Sequence, residues 1–177
     1  MNTEYRELLP EGFDENSRVW IYQSNRLFTL NEAFQIEDIL KAFVENWNSH
    51  GIPVKGYANL FFGQFIVLVA DERAHGVSGC STDSSVRMIK EIEKLFNVNL
   101  FDRLLLAFII RERVQVIPVS QFAYALENNF IEPSCLYFNN VVQTLSELKN
   151  KWLVPVKDSW LAKDKRFSNL IKNDQAA

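Results

Sequence analysis

Between Arg18 and Ile110 the apolar residues change their spacing repeatedly, and the order of those spacings restricts the fold more than any other feature. Arg18–Asn25 (RVWIYQSN) sets Val19 and Ile21 on one side and Trp20 and Tyr22 on the other, which predicts a strand buried on both faces. Asn31 opens a stretch to about Ser49 in which Ile36, Ile39, Leu40, Phe43, Val44 and Trp47 recur at three and four residues. That is a helix stripe, and Gly51 stands where a C′ residue belongs. Lys55–Phe62 and Gln64–Ala70 return to strand spacing, with Gly63 at the turn. Val86, Ile89, Ile92 and Phe96 then share one side of a second helix, Glu93 marking its polar margin and Ser81 or Thr82 capping it. Leu104–Ile110 and Val114–Ile117 form a hairpin that turns through Arg111-Glu112-Arg113.

The resulting β-α-β-β-α-β order is that of a ferredoxin-like sandwich, an α+β fold whose antiparallel sheet carries helices on one face. Its rival is another α+β meander with helices on one side. Elements after Pro118 form a C-terminal extension: a short helix from Ser120 through Asn128, a strand Cys135–Phe138, and a helix in which Thr144 and Glu147 have capping-box spacing. Residues 1–16 read as a loose N-terminal arm, 17–162 as a single domain, and 163–177 as a tail that docks weakly or frays.

Composition removes several classes. The chain has six glycines, none after Gly79, and five prolines, too few for collagen-like, low-complexity or long-linker readings. No repeat of solenoid length is visible. The net charge is −3, and the aromatics around Phe61 and Phe65 are not interleaved with Lys or Arg, so no nucleic-acid partner is expected. The longest apolar runs, Phe65–Ala70 and Leu104–Ile110, fall far short of the ~20 residues that span a bilayer, and MNTEYRELLPEGF holds no apolar signal core. Cys80 and Cys135 make no disulfide framework, which points to a reducing cytoplasm. With His50 and His75 they show no zinc-site spacing, so neither metal nor cofactor is expected.

Two fragments imitate an ABC-type ATPase. Phe65–Glu72 (FIVLVADE) resembles a Walker B strand, and Val77–Ser81 (VSGCS) faintly resembles the signature loop. ATP chemistry also needs a P-loop, whose backbone N–H groups and lysine neutralise the phosphates. The one candidate, Gly51–Gly56 (GIPVKG), continues into Tyr57 and Ala58 where Lys and Ser/Thr are required, and Pro53 removes a donor. It also lies between a helix and a strand, and the signature follows Walker B instead of preceding it. ABC-type hydrolysis is excluded on these requirements. VWIYQSNR, VADERAHGVSGCSTDSSV, LFDR, and FNN with the KWLVPVKDSW ending nevertheless resemble a bacterial family of about this length. Its members are often labelled ATPase components of ABC transporters. The resemblance spans roughly residues 18–161 and implies no catalytic residues.

In the expected sandwich the first and third strands are taken as parallel neighbours, so their C-terminal ends and the helix N-termini after them share one edge. Gln23, Ser24, Asn25 and Arg26 would reach it from the first strand, and Asp71, Glu72, Arg73 and His75 from the third. Cys80, Ser81, Thr82, Asp83, Ser84 and Ser85 lead into the second helix there, with Arg87 one turn inside. A helix N-terminus favours an anion or a thiolate. The leading expectation is a small anionic ligand, or a protein partner segment, held by Asn25, Arg26, Ser81, Thr82, Asp83, Ser84, Ser85 and Arg87 without turnover. The second is a thiol-dependent enzyme or redox protein with Cys80 as nucleophile and His75 as base. The third is a structural protein that assembles, as a homo-oligomer, through a sheet edge or aromatic surface. Cys135 reads as an inert strand residue, and Arg111 and Arg113 as solvated charges at a hairpin tip.

Overall fold

Every residue of Phe65–Asp71 is buried, so this strand needs partners on both edges and cover on both faces. How it obtains them is seen in a computed structural model that describes residues 3–73, 76 and 79–173. In chain order the elements are β1 (Arg18–Gln23), α1 (Leu30–Asn46), β2 (Asn48–Ser49), β3 (Ile52–Pro53), β4 (Lys55–Phe61) and β5 (Phe65–Asp71). Then come α2 (Gly79–Phe96), β6 (Leu105–Ile110), β7 (Arg113–Pro118), α3 (Phe122–Glu127), β8 (Leu136–Phe138), α4 (Leu145–Lys151), β9 (Leu153–Pro155) and α5 (Ser168–Asn173). The protein is α+β, with antiparallel sheets. The described residues of the stretch 17–162, read as one domain, fall in two compact units that divide after Asp102, Asn139 and Lys149: the N-terminal part with 140–149, and 103–139 with the C-terminal part.

In the N-terminal unit the sheet order is β1-β5-β4, and β5 runs antiparallel to both neighbours. Gln23 pairs with Phe65, and Arg18 with Ala70. This corrects the expectation of parallel first and third strands. A tight turn at Phe62 and Gly63, both at positive φ, reverses the chain between β4 and β5. With β5 between them, β1 and β4 run the same way and β5 the opposite way. Tyr22, Ile66, Leu68 and Leu60 on one face pack with Ile36 and Leu40 of α1 and Ile89 and Ile92 of α2.

The N-terminal residues, expected as a loose arm, form a 3-10 turn that buries Tyr5 and Leu9. The Tyr5 hydroxyl donates to Leu148 O at 2.8 Å, and Tyr57 donates to Leu8 O. Enough apolar surface lies in YRELL to repay its ordering, despite the polar surroundings. Beside β1, the edge that a ferredoxin-like order gives to the fourth strand is taken by residues 143–145. Val19 N–H donates to Gln143 O, and Leu145 N–H to Ser17 O, both at 2.9 Å.

The expected fourth strand, β6, belongs to the other unit, in a sheet ordered β7-β6-β8-β9. Its hairpin partner begins only two residues away and occupies one edge, while β8 occupies the other. Phe108 stacks on Phe122 at 5.4 Å between centroids, and Phe122 meets Phe167 edge-on at 4.9 Å. Phe167 and Ile171 are buried, so the tail docks through α5.

Helix boundaries follow local chemistry. Thr29 opens α1 with a full capping box, its hydroxyl accepting from Glu32 N–H and the Glu32 carboxylate accepting from Thr29 N–H. The helix ends at Asn46, because Trp47 turns into extended backbone. Gly51 (φ +80°) therefore serves, with His50 (φ +50°), the turn between β2 and β3 and not a helix C-cap. The Thr144 hydroxyl accepts from Glu147 N–H, but the Glu147 carboxylate reaches one residue further back, to Gln143 N–H. Among the described residues no helix is long and apolar enough to cross a membrane.

Candidate functional site

The antiparallel pairing of β1 with β5 separates the two halves of the expected edge. Asn25 and Arg26, leaving β1, sit at the C-terminal end of α2. Asn25 Oδ1 accepts from Asn99 N–H at 2.8 Å. The Arg26 guanidinium grips both carboxylate oxygens of Glu32 at 2.8 Å and donates to Phe96 O, in the last turn of α2, at 2.7 Å. That bidentate bond, helped by Thr29 N–H, lowers the Glu32 carboxyl to about 2. A cation at a helix C-terminus also opposes the dipole there. Arg26 is thus committed to structure. Ser81 lies fifteen residues back along α2, roughly 20 Å at 1.5 Å per residue, so no small ligand joins it to Arg26.

The other half disperses as well. Asp71, the acid of the Walker B look-alike, is buried and accepts from Lys55 Nζ and Arg73 Nε, each at 2.9 Å. Arg73, above all, holds its carboxyl far below the ordinary range. Lys55 and Arg73 both also donate to Gly12 O. The cluster fastens the N-terminal segment to the end of the sheet. Gly51–Gly56 runs from the β2–β3 turn through β3 into β4 and opens no helix. His75 lies outside the described residues, and Cys80 and Ser81 are placed only by their backbone, in the first turn of α2.

Because α2 begins at Gly79, Ser81 and Thr82 fall within the helix instead of capping it. Ser85 is fully buried and its hydroxyl donates to Thr82 O at 2.8 Å, so it faces no ligand. Asp83 is exposed. Of the predicted set, Ser84 and Arg87 come together, lining a shallow groove of about 380 Å³ between α1 and α2 with Phe43, Trp47 and Met88.

The more capacious site lies in the C-terminal unit and was not anticipated. The turn joining β6 to β7 has only two residues, Arg111 (φ +49°) and Glu112 (φ +61°), so Arg113 belongs to the strand. Strand alternation then sets Arg113, Gln115 and Ile117 on one face, opposite Ile110, Phe108 and Leu106 of β6. Helix α3 covers Phe108 and stops short of the hairpin end. Asn129 (φ +55°) ends α3 in a Schellman motif, with Asn129 N–H donating to Leu126 O and Phe130 N–H to Ala125 O.

Between these elements lies a groove of about 910 Å³, floored by Ile110, Ile117 and Ile131 and bordered by Arg111 and Arg113. Neither arginine makes an ion pair among the described residues, and Glu132 is the acid of the lining. Half-buried Cys135 also lines the groove, its Sγ accepting from Glu132 N–H at 3.4 Å. The signal was present as R-x-Q-x-I alternation and hidden by reading Arg113 as part of the turn. Among the described residues no group of His, Cys, Asp and Glu could hold a metal ion. Comparison with protein-family models, curated proteins and solved structures finds no match to this chain.

Proposed function

We propose that this chain is a non-hydrolytic binding protein that takes a small anionic ligand with an apolar body into the groove of its C-terminal unit. One observation carries the reading: among the described residues Arg111 and Arg113 make no ion pair, and they border a floor of branched aliphatic side chains. A charged head at the arginines and an apolar body on the isoleucines would each replace water at little reorganisation. Small-ligand sites have this make-up, an apolar lining with few polar groups that fix orientation. This keeps the expected ligand class and moves its site. The N-terminal unit we read as a ferredoxin-like core whose fourth strand has been recruited elsewhere, supported by the order β1-β5-β4 with both long helices on one face. The resemblance to the ABC-transporter-labelled family then implies a shared scaffold and no ATP hydrolysis.

Scanning calorimetry with a panel of amphipathic carboxylates, inorganic phosphate and Mg-ATP tests the reading. Amphipathic carboxylates in excess over their Kd should raise the Tm, since a ligand that binds only the native state stabilises it. Arg113→Ala should weaken binding about 10- to 100-fold, the worth of a hydrogen bond to a charged group. Arg26→Ala should leave affinity unchanged. A panel in which nothing shifts the Tm sinks the proposal.

A further inference from the structure

Resting on that reading, the geometry points to an aromatic carboxylate, and not an aliphatic one, as the ligand class of the groove. Phe130 belongs to the lining and is 63% exposed, so its ring is accessible to a ligand entering the groove. Its placement is not that of a loose surface side chain. The Schellman hydrogen bonds fix its backbone, and its ring stacks on Tyr124 with centroids 6.3 Å apart and planes 28° from parallel. Tyr124 itself does not line the groove, so it flanks the ring from outside the lining. Phe130 is thereby restrained at the border of the groove by its backbone and by a neighbouring ring.

The sheet contributes Ile110 and Ile117, which share one face of the hairpin. A flat ring lying in the groove would meet an aromatic side chain at Phe130 and branched aliphatics at Ile110 and Ile117. A flexible alkyl chain meets Phe130 along a line and loses more rotamer freedom on binding. Arg111 and Arg113 at one end match a carboxylate in the ring plane, because a guanidinium fork pairs two oxygens at once. Gln115, between Arg113 and Ile117 on the same strand face, offers a donor and an acceptor to a polar ring substituent.

Titration calorimetry of the full chain with 2-naphthoate and with an alkyl carboxylate of matched apolar area separates the possibilities. The wild type should bind naphthoate about three- to tenfold more tightly, the usual worth of one aromatic contact. Phe130→Leu should erase that preference while keeping alkyl binding. Tyr124→Ala, which removes the neighbouring ring, should reduce it part-way. Both side chains are exposed, so their variants keep the core intact. Equal binding of the two probes, or a preference that survives Phe130→Leu, overturns the aromatic assignment and leaves the groove reading standing. Binding of neither probe overturns both.

Discussion

Arg26 shows how one side chain can satisfy three local demands at once. It neutralises Glu32 at the N-terminus of α1, caps the last carbonyls of α2 through Phe96 O, and lies 5.8 Å from the Phe28 ring. The pairing has a pH signature. Glu32 titrates at about 2 in the fold against an ordinary 4.5, so below 4.5 the unfolded chain takes up a proton that the folded chain refuses. The contribution is fully present above pH 4.5 and disappears as pH falls toward 2. Glu32→Gln should therefore be less stable than wild type at neutral pH in urea unfolding, and the gap should close near pH 2. A gap independent of pH would show that Glu32 acts as a cap alone. Asp71 and Asp164, both lowered chiefly by their neighbouring arginines, give the variant a remaining slope of the same sign.

At the scale of elements, the strands and helices were largely readable because their determinants lie within a few residues. The β4–β5 and β6–β7 hairpins, the α1 stripe and the Thr144 cap all depend on neighbours in the chain. What escaped was fine placement. A one-residue difference in where β7 begins turned Arg113 from turn tip to groove face, since strand side chains alternate at every residue. Gly56 carries an element-scale prediction. A Cβ there would lie 2.5 Å from Cε3 of Trp47, a fully buried ring at the end of α1. Overpacking against a ring that cannot move costs about 1–3 kcal/mol, so Gly56→Ala should lower stability by that amount. The matching glycine of the P-loop look-alike, Gly51, meets nothing within 4 Å, and its positive φ sets the cost of substitution there. Chemical denaturation of the Gly56 variant against wild type checks it.

The chain's path shapes the whole molecule. It leaves the N-terminal unit after Asp102, returns for residues 140–149, and leaves again. That return supplies Leu145 and Leu148, both fully buried, and closes the outer edge of β1. Leu148→Ala should cost about 2–5 kcal/mol and should raise amide hydrogen exchange at Tyr5–Leu9, which lie far away in sequence. Unchanged exchange in the N-terminal residues would mean that Tyr5 is anchored by other contacts. The candidate edge site failed at this scale too. Asn25 and Arg26 do follow the C-terminal end of β1, and Ser81–Arg87 do lie in the N-terminal half of α2. The error lay in the direction of one strand relative to another. Helix spacing, capping and tight turns answer to interactions among neighbouring residues, so one strand of text carries them. Which strands share a sheet, and in which direction, is a competition for edges among segments of nearly equal pairing energy. Burial across the whole molecule settles that competition: it took β6 away from β1 and left Arg111 and Arg113 facing an open apolar groove.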